Sequence, residues 1–259
     1  MPDRLDRQLL TRGLARSRSH AQALVAAGAV QVDGVVVTRS AALVPDDAVV
    51  TAATDPYVSR AAHKLLGALD DLGLAVGGRA LDAGSSTGGF TQVLLERGCA
   101  PVYAVDVGTD QLVPVLRADP RVVVRERTNL RELTLDHLDG EPVQLVVADV
   151  SFISLTLLMG PLAAVTDPGG EMVLMVKPQF EVGRERLGRG GVVREPALHA
   201  EAVDAVLGAA ARHGWHALAV RASRLPGPAG NREFFVLLGS TPPPEPPDVA
   251  AATRPVSSD

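Results

Sequence analysis

Apolar positions recur at helical spacing in residues 4–12 (Leu5, Leu9) and 18–27 (Ala21, Leu24, Val25), which predicts two short helices. Ser17 stands where the second would be N-capped, and Gly28 just past its last turn. Residues 30–32 and 35–37 then alternate about Asp33-Gly34, a pair that specifies a tight hairpin. After Pro56 the period changes. A helical stretch over 59–72 leads into apolar runs at 79–82, 101–106, 122–125, 143–149, 171–176, 215–221 and 234–238, each predicted as a strand. Between them lie helical patterns over 88–97, 110–119, 154–164 and 196–212. This alternation predicts an α/β domain with a mainly parallel sheet and helices on both faces. From Ser240 onward, Thr-Pro-Pro-Pro-Glu-Pro-Pro opens a polar stretch that reads as disordered. The chain therefore divides into residues 1–54, a linker 55–58, a large domain 59–239 and a tail 240–259.

With 259 residues, 46% of them hydrophobic, the chain can bury one good core and a small second one. The longest weakly polar stretch, residues 150–166, is interrupted by Ser151, Ser154, Thr156 and Pro161 and reads as a buried helix rather than a membrane span. No charged segment followed by an apolar one opens the chain, so a secretory signal is not expected. A single cysteine, Cys99, excludes an internal disulfide and suits the cytoplasm; it reads as a packed thiol. The six histidines show no metal-ligand spacing, and no metal is expected.

Net charge is −5, which argues against nucleic-acid binding through a general basic field. Any such binding must be local. Residues 1–32 carry five arginines (Arg4, Arg7, Arg12, Arg16, Arg18) against two aspartates and no lysine, a choice that suits bidentate phosphate contacts. A solvated charged face is the competing reading.

The densest chemical signal is Leu81-Asp82-Ala83-Gly84-Ser85-Ser86-Thr87-Gly88-Gly89-Phe90, a strand joined to a helix through a loop with little side-chain bulk. A second apolar run ends in Asp106, where a doubly wound fold places the carboxylate that grips a ribose diol. A phosphate-binding P-loop would need Lys and Ser/Thr after its last glycine, but Phe90 follows Gly89. A dinucleotide fingerprint would need glycine where Ser86 stands. What remains, Asp-x-Gly-x-x-x-Gly-Gly, resembles motif I of S-adenosylmethionine-dependent methyltransferases. In that reading Asp82 and Gly84 bound the amino-acid end of the cofactor. Ser85, Thr87 and Gly88 approach through backbone or hydroxyl, Asp106 takes the ribose, and Asn129 meets the adenine edge. Asp82, Asp106, Asn129, Asp149 and Lys177 all fall at or just after predicted strand ends, so one cleft can collect them.

The acceptor class follows from the side chains available. Asp149-Val150-Ser151-Phe152 departs from the Asn/Asp-Pro-Pro-Tyr that serves exocyclic base nitrogens, and Cys99 is badly placed for attack on a cytosine ring. A ribose 2′-hydroxyl remains, whose weakly acidic proton calls for a base aided by nearby charge.

Two further resemblances sharpen this. Arg4-Leu5-Asp6, Ser17-Arg18, Ala21 and Ala27-Gly28-Ala29-Val30-Gln31-Val32-Asp33-Gly34 resemble the S4 RNA-binding domain, a small α+β module whose helices present arginines to structured RNA. The resemblance implies RNA contacts for Arg4, Arg16 and Arg18, with Arg7 and Arg12 beside them; Arg60, outside that stretch, is a further candidate for RNA contact. Lys64, Asp149, Lys177 and Glu233 resemble the Lys-Asp-Lys-Glu tetrad of FtsJ-like ribose 2′-O-methyltransferases. With Val-Ser-Arg-Ala-Ala-His-Lys, Asp-Val-Ser-Phe-Ile-Ser-Leu and Lys-Pro-Gln-Phe-Glu also present, residues 4 to about 239 resemble the TlyA family.

That resemblance implies a Rossmann-like S-adenosylmethionine-dependent methyltransferase fold behind an S4 domain. It also implies 2′-O-methylation of cytidines in ribosomal RNA of the small subunit and, in many members, the large, with ribosomal subunits as partners. In the tetrad Lys177 is the proton acceptor, Asp149 and Glu233 orient it, and Lys64 places the hydroxyl and stabilises oxyanion charge. A lysine that accepts a proton must be neutral, a form neighbouring carboxylates oppose and desolvation or a second lysine favours. The loop from Gly183 to Arg194 carries Arg184, Arg186, Arg189 and Arg194 against Glu185, enough charge to touch phosphate, and reads equally as a solvated lid. Members of this family have been called hemolysins, so a membrane-active protein is one rival reading. A catalytically inactive RNA-binding assembly factor is the other.

Overall fold

The computed structural model describes residues 2–15, 17–53 and 55–254. The chain forms two compact units, residues 1–56 and 57–259.

The first unit contains β1 (Asp3–Arg4), α1 (Leu5–Thr11), α2 (Arg18–Ala26), β2 (Val30–Val32), β3 (Val35–Val36), β4 (Leu43–Val44) and β5 (Val50–Ala52). Ser17 caps α2 as its spacing predicts, its hydroxyl accepting from His20 N–H at 3.1 Å. Asp33 and Gly34 both take positive φ, 51° and 80°, which matches the strand twist of a two-residue hairpin between β2 and β3. On its other side β2 pairs with β5, giving a three-stranded antiparallel sheet. Leu5, Leu9, Ala21, Val25 and Val30 are fully buried beneath it.

The second unit contains α3 (Ala61–Leu72), β6 (Gly78–Ala83), α4 (Gly89–Glu96), β7 (Cys99–Val105), α5 (Pro114–Arg117), β8 (Val122–Arg125), β9 (Val143–Ala148), α6 (Met159–Val165), β10 (Thr166–Val176), α7 (Pro178–Glu181), α8 (Pro196–Arg212), β11 (His216–Ala222), β12 (Phe234–Gly239) and α9 (Val249–Thr253). The seven strands lie in the order β11-β12-β10-β9-β6-β7-β8. Only β12 runs against its neighbours; the pairs from β10 through β8 are parallel.

Period-two alternation along the central strands builds two apolar layers. Leu81, Tyr103, Val146, Met172 and Leu174 face α6 and α8, whereas Ala80, Val102, Leu145, Val147 and Val173 face α3 and α4. Each fully buried Leu or Val contributes about 1.5–3 kcal/mol of transfer free energy. Strand order reverses between β6 and β9, and at that switch point the loops after the two strands diverge to opposite faces and leave a crevice. Gly84 and Asp149 are the residues that follow.

Several elements depart from the sequence pattern. The helix expected over 110–119 shrinks to α5, because Asp110 takes a positive φ of 54° and Pro114 can enter a helix only at its first turn. The stretch 154–164 splits into a 3₁₀ turn, Leu155–Leu157, and α6, since Pro161 cannot sit deep in a helix begun at Ser154. It is nevertheless buried through Leu155, Leu158, Met159, Leu162 and Val165. Cys99 opens β7 fully buried, and burial pushes its thiol up to about 11, as befits a packed side chain.

The tail corrects the expectation of disorder as far as Arg254. Asp248 caps α9 by accepting from Ala251 N–H at 2.9 Å, and Arg232 donates to Thr253 O at 2.7 Å and Arg254 O at 2.9 Å. Both ends of a helix too short to stand alone are thereby satisfied. Among the described residues no helix is long and apolar enough to cross a membrane.

Candidate active site

The glycine loop after β6 begins with a close approach. Gly84 takes φ 89°, and a Cβ there would stand 3.0 Å from Asp149 O and 3.2 Å from Val150 Cγ1, so the crevice at the switch point is bounded by bare backbone. Ser85, Ser86 and Thr87 continue the wall. At Gly89 a Cβ would overlap Ser59 Oγ, which lets α4 pack close to the start of α3 and brings Lys64 to the same side.

Two cavities share this wall. One, ≈ 400 Å³, runs past Asp106, Val107, Asn129, Leu130, Val150 and Ile153, and joins apolar surfaces to a few polar groups, as an adenosine site requires. Asp106 is held from behind, its Oδ2 accepting from Ser86 N–H at 2.8 Å and its Oδ1 from Gly108 N–H at 2.7 Å. Each oxygen keeps a lone pair for a ribose hydroxyl. Asn129 lines the same cavity while its Oδ1 accepts from Arg131 N–H at 3.1 Å, capping a 3₁₀ turn, and its Nδ2 donates to Glu132 Oε1 at 3.4 Å, which leaves one amide N–H for an adenine.

The second cavity, ≈ 350 Å³, is lined by Arg60, Lys64, Asp149, Ser151, Lys177, Pro226, Pro228 and Glu233 together with the glycine loop. Four distant segments meet there as two ion pairs. Lys64 Nζ donates to Glu233 Oε2 at 2.5 Å. Lys177 Nζ lies 2.6 Å from Asp149 Oδ1 and donates to Ser151 Oγ at 2.9 Å. Asp149 stands in a wall common to both cavities, with its Oδ1 facing the Lys177 ammonium. A bare loop, an anchored ribose-type carboxylate and a second carboxylate, Asp149, shared by both cavities fit the donor and acceptor set of S-adenosylmethionine.

The structure corrects three expectations. Glu233 partners Lys64 and not Lys177, because β12 enters the cleft beside α3 while Lys177 leaves β10 beside Asp149. Asp82 lines neither cavity: it is fully buried under the glycine loop, where its Oδ2 accepts from Thr91 Oγ1 at 2.6 Å and its Oδ1 has no partner among the described residues. Burial pushes its carboxyl up to about 7, against the Thr91 hydrogen bond and with help from the Asp149 charge. Gly88 also lines neither cavity and lies against Leu112 and Leu116. Ser86 and Ser151, each in both cavities, are not singled out by the sequence pattern. The position of Ser151 two residues beyond Asp149 is the signal that could have found it.

Among the residues expected to meet RNA, Arg4 and Arg18 converge on one buried carboxylate. Arg4 grips Asp6 bidentately at 3.0 and 2.9 Å, and Arg18 Nε donates to the same group at 3.2 Å. The Arg4 guanidinium holds the Asp6 carboxyl well below the usual carboxylate range, against the effect of burial. Arg7 lies 3.7 Å from Asp3. Arg16 lies outside the described residues. Arg60 lines the second cavity. No cluster of potential metal ligands occurs among the described residues.

Residues 57–240 match the FtsJ-like methyltransferase family and residues 3–50 the S4 domain. The chain is 52% identical over 239 residues to the 16S/23S rRNA (cytidine-2′-O)-methyltransferase TlyA of Mycobacterium tuberculosis, covering 91% of this chain and 89% of that one. It is 36% identical to a protein named hemolysin A from Brachyspira hyodysenteriae, over 90% of this chain and 98% of that one. A solved structure of a candidate hemolysin from Streptococcus thermophilus superposes with a TM-score of 0.75 at 35% identity, over 97% and 94% of the two chains.

Proposed function

This chain belongs to the TlyA family of FtsJ-like methyltransferases, with an S4 domain in front, and we propose that it methylates the ribose 2′-hydroxyl of cytidines in ribosomal RNA of both subunits, in the cytoplasm, using S-adenosyl-L-methionine. The observation that carries the reading is the meeting of two lysine–carboxylate pairs in one cavity beside the glycine loop.

When bound, the cofactor supplies a methyl group already activated by its sulfonium. Asp106, Gly84, Ser86, Asn129 and Asp149 would hold it, and Gly84, Ser86 and Asp149 stand in the wall the two cavities share. In its neutral form Lys177 would accept the hydroxyl proton, with Asp149 and Ser151 fixing its Nζ. Lys64, fixed by Glu233, places the hydroxyl and stabilises negative charge developing on its oxygen. Asp82 and Gly88 shape the loop from beneath. Arg4 and Arg18 present their guanidinium groups to RNA phosphate from the S4 unit, joined by Arg7 and by Arg16.

Purified protein incubated with labelled cofactor and ribosomal subunits, followed by nucleoside mapping, tests this. Ribose-methylated cytidine is expected, and a base-methylated product overturns the chemistry. An inactive assembly factor would give no product, and a membrane-active protein would release dye from liposomes instead.

A further inference from the structure

Many arginines of the second unit, Arg127, Arg131 and Arg212 among them, have no carboxylate within ion-pair distance among the described residues, and others are neutralised. Arg79, Arg97, Arg117, Arg121, Arg125, Arg186 and Arg224 each sit within ion-pair distance of a carboxylate, as an acidic surface favours. The loop between α7 and α8 gathers three of the unneutralised ones within eleven residues: Arg184, Arg189 and Arg194 have no carboxylate within that distance among the described residues, and Arg186 on the same loop is neutralised by Glu201 at 2.6 Å. Glu185 and Glu195 share the loop, and Glu185 folds back on Gly183. Arg189 and Arg194 line a groove whose wall also carries Arg186, Glu185 and Glu195.

This loop should be poorly ordered by its composition, since Gly188, Gly190 and Gly191 lower its resistance to rearrangement. It is braced from outside by Asn231. That side chain is 2% exposed; its Oδ1 accepts from Val193 N–H at 2.9 Å and its Nδ2 donates to Gly191 O at 3.1 Å. Both ends of the amide are used on loop backbone. Its carbonyl in turn accepts from Gly227 N–H at 2.9 Å, and Glu233 follows two residues later. The segment 226–233 thus presents Pro226, Pro228 and Glu233 to the catalytic cavity and Asn231 to the arginine loop.

We propose that residues 184–194 form a phosphate-binding surface for the RNA substrate on the methyltransferase unit itself, with Arg189 and Arg194 as contact residues and Asn231 as the positioning residue that orders their loop. The proposal rests on the RNA-methyltransferase reading. Its physical basis is charge complementarity, with cations left without internal partners. Preorganisation adds to it, because a glycine-rich loop fixed before encounter loses less entropy on binding.

The test measures affinity for a small-subunit ribosomal RNA transcript and for intact subunits across a salt series, beside cofactor affinity and methyl transfer. Arg189→Gln with Arg194→Gln is expected to weaken transcript binding about tenfold and to reduce the salt slope by about one for each phosphate no longer neutralised. Cofactor affinity stays unchanged. Asn231→Ser is expected to raise KM for RNA similarly with little change in kcat, and in its background the arginine substitutions should cost much less, a non-additivity that mere destabilisation does not produce. Unchanged transcript affinity and salt slope in the arginine variant overturn the surface. An effect seen with subunits but not with transcript also overturns it and assigns the loop to a ribosomal protein. Additive effects overturn the role of Asn231, and Asn231→Asp, which keeps the acceptor and loses the donor, supplies a second variant. Absence of methyl transfer by the unaltered chain defeats the functional reading instead, while the binding measurements still report on the loop.

Discussion

Lys64 Nζ and Glu233 Oε2 meet at 2.5 Å across 169 residues of chain, and both side chains are almost wholly buried. A buried charge left alone is costly, so Glu233→Ala should destabilise the fold by about 3 kcal/mol. Replacing both, as Lys64→Met with Glu233→Leu, should recover most of that loss in urea unfolding while transfer stays absent. Recovery of activity in the double variant would refute a chemical role for the pair.

Lys177→Ala removes the proposed proton acceptor and leaves both cofactor carboxylates in place. Cofactor titration should give an affinity within a few fold of the unaltered protein, and single-turnover transfer should fall by roughly 10²–10⁴. A parallel loss of cofactor binding would assign Lys177 to the cofactor.

Asp106→Ala should show the opposite split. The substitution withdraws the carboxylate that orders Ser86 and Gly108 as well as the two ribose acceptors. Charge-assisted hydrogen bonds of this kind contribute about 1.5–3 kcal/mol, so cofactor affinity should fall about 10- to 100-fold by calorimetry. Transfer at saturating cofactor should be affected less.

Asp82 gives a pH signature. Its folded carboxyl is raised to about 7 by burial, so between about pH 4 and 7 the folded state keeps a proton the unfolded chain has released, and stability falls as pH rises through that window. Above about 7 the effect is constant. Asp82→Asn should therefore gain on the unaltered protein across the window, by a difference on the order of 4 kcal/mol at most, read from urea midpoints at pH 5 and 8.

For Asp6 the sign reverses. Arg4 and Arg18 lower its carboxyl, so the stabilisation is complete at neutral pH and is lost as pH falls below about 4. Asp6→Asn should reduce the stability of the first unit by ~2 kcal/mol at pH 7 and narrow the difference in acid. Loss of RNA affinity should accompany it, since both guanidinium groups are aimed by this one carboxylate.

Much of the architecture is legible in the amino-acid pattern. Apolar alternation locates the strands because both faces of a parallel sheet are covered, and Gly84 with Asp106 locates the cofactor crevice because few residues tolerate that backbone approach. Partner choice is not legible. The family resemblance sets Glu233 beside Lys177, yet the reversed sense of β12 delivers it to Lys64. Asp82 looks like a cofactor ligand because its spacing cannot reveal that Thr91, on the next helix, claims it first. Proline runs speak for a disordered tail, whereas Asp248 and Arg232 stabilise a helix, the latter through contacts at long range in the chain.

The reversed orientation of β12 ties chemistry to architecture. This strand bonds β11 on one side and β10 on the other, and the same segment opens with Lys64's counter-charge. A chain cut short before Glu233 would forfeit the seam that holds the sheet's edge and the acid that steadies its lysine in a single stroke, so damaged or unfinished copies would be inert rather than misdirected.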